Sequence, residues 1–396
     1  MNKKKYKYSL DNRIDYGVML PVFVLSLMGL ASLYVALTHD LVTKDILTPM
    51  LKQVLWLLIG AIAVVILMQF TSKMLWKMTP VFYVMGLGLM TALIFLHDKK
   101  LAELTGSKNW FSFGGFTFQP SELMKIAYIL MLAYVVTRHN VNREHTIRND
   151  FILIGKLTAF TAPVIFLLTF QEDLGTSLVY VAILGGIFLM SGISWKIILP
   201  VITVFAIGAG ITIFLVTTDS GREFLRTAGV KQYQLLRVES WLDPFHDASG
   251  HSYQQAQSLI AIGSGGMFGK GFNVSEVYVP VRESDMIFTV IGENFGFIGG
   301  CLIIIMYFIL IYRMIRVCFD TNNEFYAYIA TGIIMMILFH VFENIGANIG
   351  LLPLTGIPLP FISQGGSSLI GNLIGVGIIM SMRFQKNDYL DFKTDN

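Results

Sequence analysis

The stretch Val279-Pro-Val-Arg-Glu-Ser-Asp-Met-Ile-Phe-Thr-Val-Ile-Gly-Glu-Asn-Phe-Gly-Phe-Ile-Gly-Gly300 starts polar and then turns apolar. Beyond Asp285 the chain stays apolar for more than twenty residues, interrupted only by Glu293 and Asn294. About twenty such residues cross a bilayer as a helix. Asp285 therefore stands at the lip of a membrane span, where hydrocarbon cannot solvate its charge. An ionisable residue kept in that position is a functional-site candidate by default.

The same apolar signature recurs along the chain. Spans are expected at 16–38, 51–70, 79–97, 120–137, 151–169, 174–191, 197–217, 286–312, 326–344 and 368–382. The expected fold is an all-α polytopic membrane protein of about ten transmembrane helices. It forms one membrane domain with a large loop, about 217–285, between helices seven and eight. Composition agrees, because 14% of the residues are charged against about 25% in soluble domains. A net charge of +3, scattered along the chain, excludes nucleic-acid binding and suits a neighbour of membrane lipids. The basic start, Met1-Asn-Lys-Lys-Lys-Tyr-Lys-Tyr, resembles a signal peptide. The apolar run from about Val18 to Leu37 is too long for one, so it reads as an uncleaved first span. Cys301 and Cys318 lie roughly 25 Å apart along one helix, beyond disulfide reach. No Cys/His cluster suggests a structural metal.

Lys and Arg orient the spans. With the N-terminus inside, the inner segments hold Lys3, Lys4, Lys5, Lys7, Arg13, Lys73, Lys77, Arg138, Arg143, Arg148, Lys196, Arg313, Arg316, Arg383, Lys386 and Lys393. The short outer loops hold only Lys44, Lys99, Lys100 and Lys108. Both termini are expected in the cytoplasm. Three stretches then face outward: His97–Gln119, the segment Thr217–Asp285, and the Gly- and Pro-rich Gly346–Ser367. The last is apolar enough to pack between helices as a re-entrant segment, since bare backbone cannot face lipid.

Polar residues within the spans are lopsided. Glu122, Lys125, Asp173, Asp285, Glu293 and Glu343 all map to the outer half. Glu122 and Lys125, three apart on one helix face, read either as a brace for the bundle or as substrate-holding groups. Asp173 reads equally as a helix cap or a functional group. His340, Glu343 and Asn344 share a face and read first as a helix-packing network. Lys156 reads as a snorkelling group near a cytoplasmic end. Transporters place their polar site near the midplane, between repeats; here there is no internal repeat, and the pattern indicates a cavity opening outward. Ile262-Gly-Ser-Gly-Gly-Met-Phe-Gly-Lys-Gly-Phe272 is not a phosphate loop, because Ser264 and Gly271 stand where Walker A needs Gly and Ser/Thr. It reads as a tight structural turn or, with Lys270, as an anion nest.

Six ordered blocks carry a resemblance: Phe118-Gln-Pro-Ser-Glu-Leu-Met-Lys125, Asp173-Leu-Gly-Thr176, Trp241-Leu-Asp-Pro244, Gln257-Ser-Leu-Ile-Ala-Ile-Gly-Ser-Gly-Gly266, Ser284-Asp-Met-Ile-Phe288 and Gly356-Ile-Pro-Leu-Pro-Phe-Ile-Ser-Gln-Gly-Gly-Ser-Ser368. Together they resemble the SEDS family (shape, elongation, division and sporulation) over nearly the whole chain. Gly269-Lys-Gly271 and Ile291–Ile298 resemble its RodA branch more than its FtsW branch. The resemblance implies a peptidoglycan glycosyltransferase of the bacterial cytoplasmic membrane, polymerising lipid II beside a class B penicillin-binding protein. It implies Asp285 as catalytic carboxylate, with Trp110, Asp173, Glu122 and Lys125 as further functional positions. Departures stand at Asn109, Glu172, Glu283-Ser284 and Gln364, where the family more often carries Arg, Pro, His-Thr and Tyr. In the implied reaction a positioned carboxylate takes the acceptor hydroxyl's proton. Lys270, Arg282, Arg237 or a divalent cation compensates the leaving diphosphate. A lipid-precursor flippase and a membrane scaffold are the rival readings.

Overall fold

The computed structural model describes residues 14–41, 45–114, 116–230, 232–247 and 249–384. Lys3, Lys4, Lys5, Lys7, Arg13, Lys44, Lys386 and Lys393, which entered the charge reading, lie outside these. The fold is that of an all-α polytopic membrane protein. In chain order the helices are α1 (Tyr16–Thr38), α2 (Leu47–Leu67), α3 (Ser72–Leu96), α4 (Lys99–Thr105), α5 (Pro120–Asn142), α6 (Ile147–Gln171), α7 (Leu174–Met190), α8 (Trp195–Thr217), α9 (Asp219–Thr227), α10 (Gln232–Leu242), α11 (Tyr253–Ser264), α12 (Ile287–Phe319), α13 (Glu324–Asn348) and α14 (Gly366–Phe384). A short antiparallel hairpin, β1 (Phe111–Phe113) and β2 (Phe116–Phe118), lies between α4 and α5.

Among the described residues nine helices are long and apolar enough to cross a membrane. The tenth expected span is α7, apolar but only 17 residues long. Helix α5 is the axis of the bundle, with 89% of its most apolar window buried, against 11% for α8. The outward faces are apolar (Phe205, Phe214, Phe308), as lipid requires. The connections gather at two ends. One, the loop end, carries α4, the hairpin, α9 to α11 and the segment 349–365. The other carries the short turns and the Asp15–Arg383 ion pair, which ties the start of α1 to the end of α14.

Two non-helical features shape the loop end. The first is a break in α12 at Gly296 (φ 62°). The glycine-rich stretch after α11 docks into it: Lys270 N–H donates to Glu293 O at 2.9 Å and Phe297 N–H to Gly266 O at 2.9 Å. Gly269 (φ 79°) lies so close to the Asn294 carbonyl that a Cβ would stand 2.1 Å from its oxygen. The stretch is thus built as a structural joint, with these amides spent on the helix. The second is the segment 349–365, whose Ile357, Leu359, Phe361 and Ile362 are buried. Polar groups of its backbone find partners inside the protein, as a buried irregular segment of a membrane protein requires. Leu359 N–H donates to Ser363 Oγ (2.8 Å), Gln364 N–H to Glu283 O (2.9 Å), and Gln53 Nε2 to Ser363 O (3.3 Å).

Candidate active site

At the loop end a cavity of about 560 Å³ opens between the start of α7, α10, α11 and the segment 354–356. Asp173, Asp285 and Arg237 line it, with Ser107, Ser240, His251, Gln254, Gln255 and Thr355. Leu174, Leu236 and Leu354 add apolar wall.

Asp285 closes the loop before α12. Its main-chain oxygen accepts from Asn344 Nδ2 (2.7 Å) and Asn348 Nδ2 (3.0 Å), both on α13. Its Oδ1 is buried without a hydrogen-bond partner among the described residues. Burial pushes the carboxyl up to about 6, with Glu283 adding to the rise and Arg237 opposing it. Gly356 packs against this carboxylate: a Cβ there would lie 3.8 Å from Asp285 Oδ2, on a backbone at φ 82° that an L side chain resists. A poorly solvated carboxylate at a cavity wall, its proton affinity raised by burial, is a candidate general base.

Asp173 is a cap and more. Its Oδ1 accepts from Thr176 N–H (3.0 Å), capping α7. Its Oδ2 accepts from Asn109 Nδ2 (2.7 Å) and Gln119 Nε2 (3.0 Å). Glu172 before it takes φ 59° to end α6, a conformation closed to the proline that the resemblance leads one to expect there. Asn109 at the family's Arg position binds Asp173 directly.

Arg237 reaches over the segment 354–356, donating from Nη1 to Thr355 O at 3.3 Å. The Thr355 hydroxyl donates to Glu343 Oε1, and Glu343 is 3% exposed. Glu343 and Asn344 therefore clamp one strip: Glu343 takes Thr355, while Asn344 donates to Ile357 O (2.8 Å) and Asp285 O (2.7 Å). Glutamine at 343 keeps the acceptor for Thr355 and should lower turnover less than about threefold. Alanine at 343 leaves the Thr355 hydroxyl unpaired, costing about 1–3 kcal/mol, and should lower turnover about tenfold by loosening the wall that holds Arg237. Initial rates of the two variants, measured side by side, check this. Equal losses would assign Glu343 a role through its charge instead.

The other expected positions lie apart from the cavity. Lys125 Nζ donates to Glu122 Oε1 (2.8 Å), Glu122 Oε2 (2.9 Å) and His340 Nε2 (3.0 Å). His340 Nδ1 donates in turn to Met336 O (2.6 Å). This buried triad fixes the start of α5 against α13, and so fixes Gln119, which holds Asp173. Lys270 pairs with Glu276 (2.8 Å) and Glu293 (3.0 Å). Arg282 is 4% exposed, donates to Ser275 Oγ at 2.5 Å and lies over the Tyr278 ring. Trp110 is half-buried beside the hairpin, its carbonyl accepting from Asp98 N–H (3.0 Å). None of Glu122, Lys125, Lys270, Arg282 or Trp110 is among the residues lining the cavity. Thr355, Ser240 and His251, which line it, are not singled out by the sequence. Gly356, inside a Gly-Ile-Pro-Leu-Pro run, does carry a signal.

A family model described as cell cycle protein, spanning FtsW, RodA and SpoVE, matches residues 14–388. The chain belongs to this family. Stage V sporulation protein E of Bacillus subtilis (strain 168) is 35% identical over 281 residues, 70% of this chain and 71% of that one. Peptidoglycan glycosyltransferase MrdB of Escherichia coli (strain K12) is 33% identical over 329 residues, 82% of each chain. A probable peptidoglycan glycosyltransferase FtsW of Hydrogenovibrio crunogenus is 30% identical over 376 residues, 93% of this chain and 90% of that one. Two solved structures share the fold. A chain from a peptidoglycan synthase complex that coordinates polymerization and crosslinking superposes with TM-score 0.76 at 23% identity, covering 95% of this chain and 99% of its own. The rod shape determining protein RodA of Thermus thermophilus gives 0.66 at 24%, covering 95% and 98%.

Proposed function

We propose that this chain is a peptidoglycan glycosyltransferase that polymerises lipid II at the outer face of the cytoplasmic membrane, with Asp285 as general base. One observation carries the reading: Asp285, Asp173 and Arg237, from distant parts of the chain, line a single cavity at the loop end of the bundle. The names of the relatives support the reaction class, and the charge distribution supports a loop end facing outward with both termini in the cytoplasm. Gly269-Lys-Gly271 and Ile291–Ile298 support a place in the elongation branch.

In the proposed reaction the acceptor sugar hydroxyl attacks the anomeric carbon of the donor. Its proton passes to the Asp285 carboxylate while the bond from that carbon to the diphosphate oxygen breaks. The electron pair leaves with the undecaprenyl diphosphate. Arg237 is the cavity's guanidinium and supplies the charge this leaving group needs. Asp173, locked by Thr176, Asn109 and Gln119, orients the acceptor. Among the described residues no three His, Cys, Asp or Glu side chains gather as a ligand set. Asp173 is the cavity carboxylate that would hold a divalent cation beside the substrate's diphosphate, where the ion would add countercharge. Lys270 and Arg282 are outside this scheme because their contacts lie elsewhere.

The partner we propose is a class B penicillin-binding protein. The purified chain, with such a partner blocked by penicillin, should convert lipid II into glycan strands. Leaflet transfer of lipid II with no strands formed would replace this reading with a flippase.

A further inference from the structure

At the end of the bundle opposite the cavity, α5 finishes and α6 begins among cations. Lys156 lies nine residues inside α6, roughly 13 Å along it, and is half-buried. Its Nζ meets His139 Nδ1 at 3.2 Å. An ammonium has no lone pair to offer, so the imidazole is the acceptor and brings no negative charge. Arg138, one residue before His139 on α5, and Arg143 at that helix's cap add positive charge around Lys156. Asp150, in the same turn region, is buried and faces Ser194 N–H (3.1 Å) and His145 (3.6 Å) instead.

Such a group is expensive at the edge of hydrocarbon unless something outside the protein answers it. Arg138, beside His139 on α5, is braced by two partly buried aromatic side chains. Arg138 donates from Nη1 to Tyr134 OH (3.1 Å), and Tyr134 packs on Trp76 with ring centroids 4.2 Å apart. Tyrosine and tryptophan collect at membrane–water interfaces. Basic pockets between membrane helices on the cytoplasmic side bind anionic lipid headgroups.

We propose that Lys156, Arg138 and Arg143 form a binding site for the phosphate of an anionic phospholipid in the leaflet opposite the cavity. Lys156 gives the half-buried contact, His139 holds its ammonium in place, and the two arginines close over the phosphate from the exposed side. The site is independent of the reading of the cavity.

The test is native mass spectrometry of the delipidated, intact chain, titrated with dioleoylphosphatidylglycerol or dioleoylphosphatidylcholine. Phosphatidylglycerol should bind in preference to phosphatidylcholine. Lys156→Gln should weaken it about fivefold, Arg143→Gln about fivefold, and the double variant about 25-fold, at one surface charge each. Arg143 is exposed at the cap of α5, so its variant folds even if Lys156→Gln does not. Equal binding of the two lipids would overturn the proposal, as would unchanged affinity in Arg143→Gln. Displacement of the lipid by millimolar inorganic phosphate would also overturn it, marking a free-anion site.

Discussion

Asp285→Asn is expected to abolish polymerisation, lowering the rate by about 10²–10⁴, the usual worth of a positioned general base. The substitution isolates the chemistry well. Asn344 and Asn348 hold residue 285 through its main-chain oxygen, so the amide keeps those bonds. Its side chain is nearly the same shape. The sign of the stability effect is opposite to that of activity. A carboxyl raised to about 6 by burial binds its proton more tightly in the folded than in the unfolded chain. Stability is therefore lost as pH rises from the ordinary 3.8 to about 6, the full cost standing above that, and Asn at 285 should raise the melting temperature at neutral pH. An inactive, stabilised variant is the expected pair of results. A variant that is inactive and also destabilised would mean that the carboxylate supports the fold.

Lys125→Met is expected to destabilise the chain by about 3–5 kcal/mol, because it leaves the Glu122 carboxylate buried without its counter-charge. Glu122 is 5% exposed and Lys125 1%, so solvent screens neither. His340 also loses the donor to its Nε2. The double variant Glu122→Gln/Lys125→Met removes both charges and should recover most of the stability, since neutral replacement of a buried pair is often nearly neutral. Thermal unfolding of the three proteins in one detergent measures this. The same series separates the two readings of the pair. If Lys125→Met unfolds like the unchanged chain yet loses polymerisation, the lysine serves the substrate and not the bundle.

The spans were readable because each is a long apolar run, and lipid rewards that continuously. Their ends were less so. Hydropathy expects the third span to begin at 79, whereas α3 begins at Ser72, carrying Lys73 and Lys77 with it. There Thr71 accepts from Met74 N–H at 3.2 Å and caps the helix. Hydropathy reports where lipid begins; capping reports where the backbone ladder begins. Helix α12 likewise runs to Phe319 rather than 312.

Asp285 and Asp173 stood out because charge at a membrane lip is rare enough to be informative in one sequence. Their surroundings depend on contacts between remote segments. Arg237 meets Thr355 across 118 positions, and nothing local marks Thr355 as a wall residue. Lys270 and Arg282 show the converse. Both are cations near the expected site in sequence, yet Lys270 turns to Glu276 and Glu293, and Arg282 turns inward to Ser275 and Tyr278. Charge and proximity along the chain do not determine which way a side chain faces.

The acid limb of the rate–pH profile tests the central claim most directly, since it reads the titration of Asp285 in the unaltered protein. Glu283, Glu343 and Arg237 act on this carboxyl electrostatically, and His251 shares the cavity. His251→Gln should therefore be run alongside. A base must be ionised to accept a proton, so kcat/KM should rise with pH through about 6 and fall about tenfold per unit below it. The limb should persist in the His251→Gln protein. A rate independent of pH from 5 to 8 in folded protein would contradict Asp285 as the base.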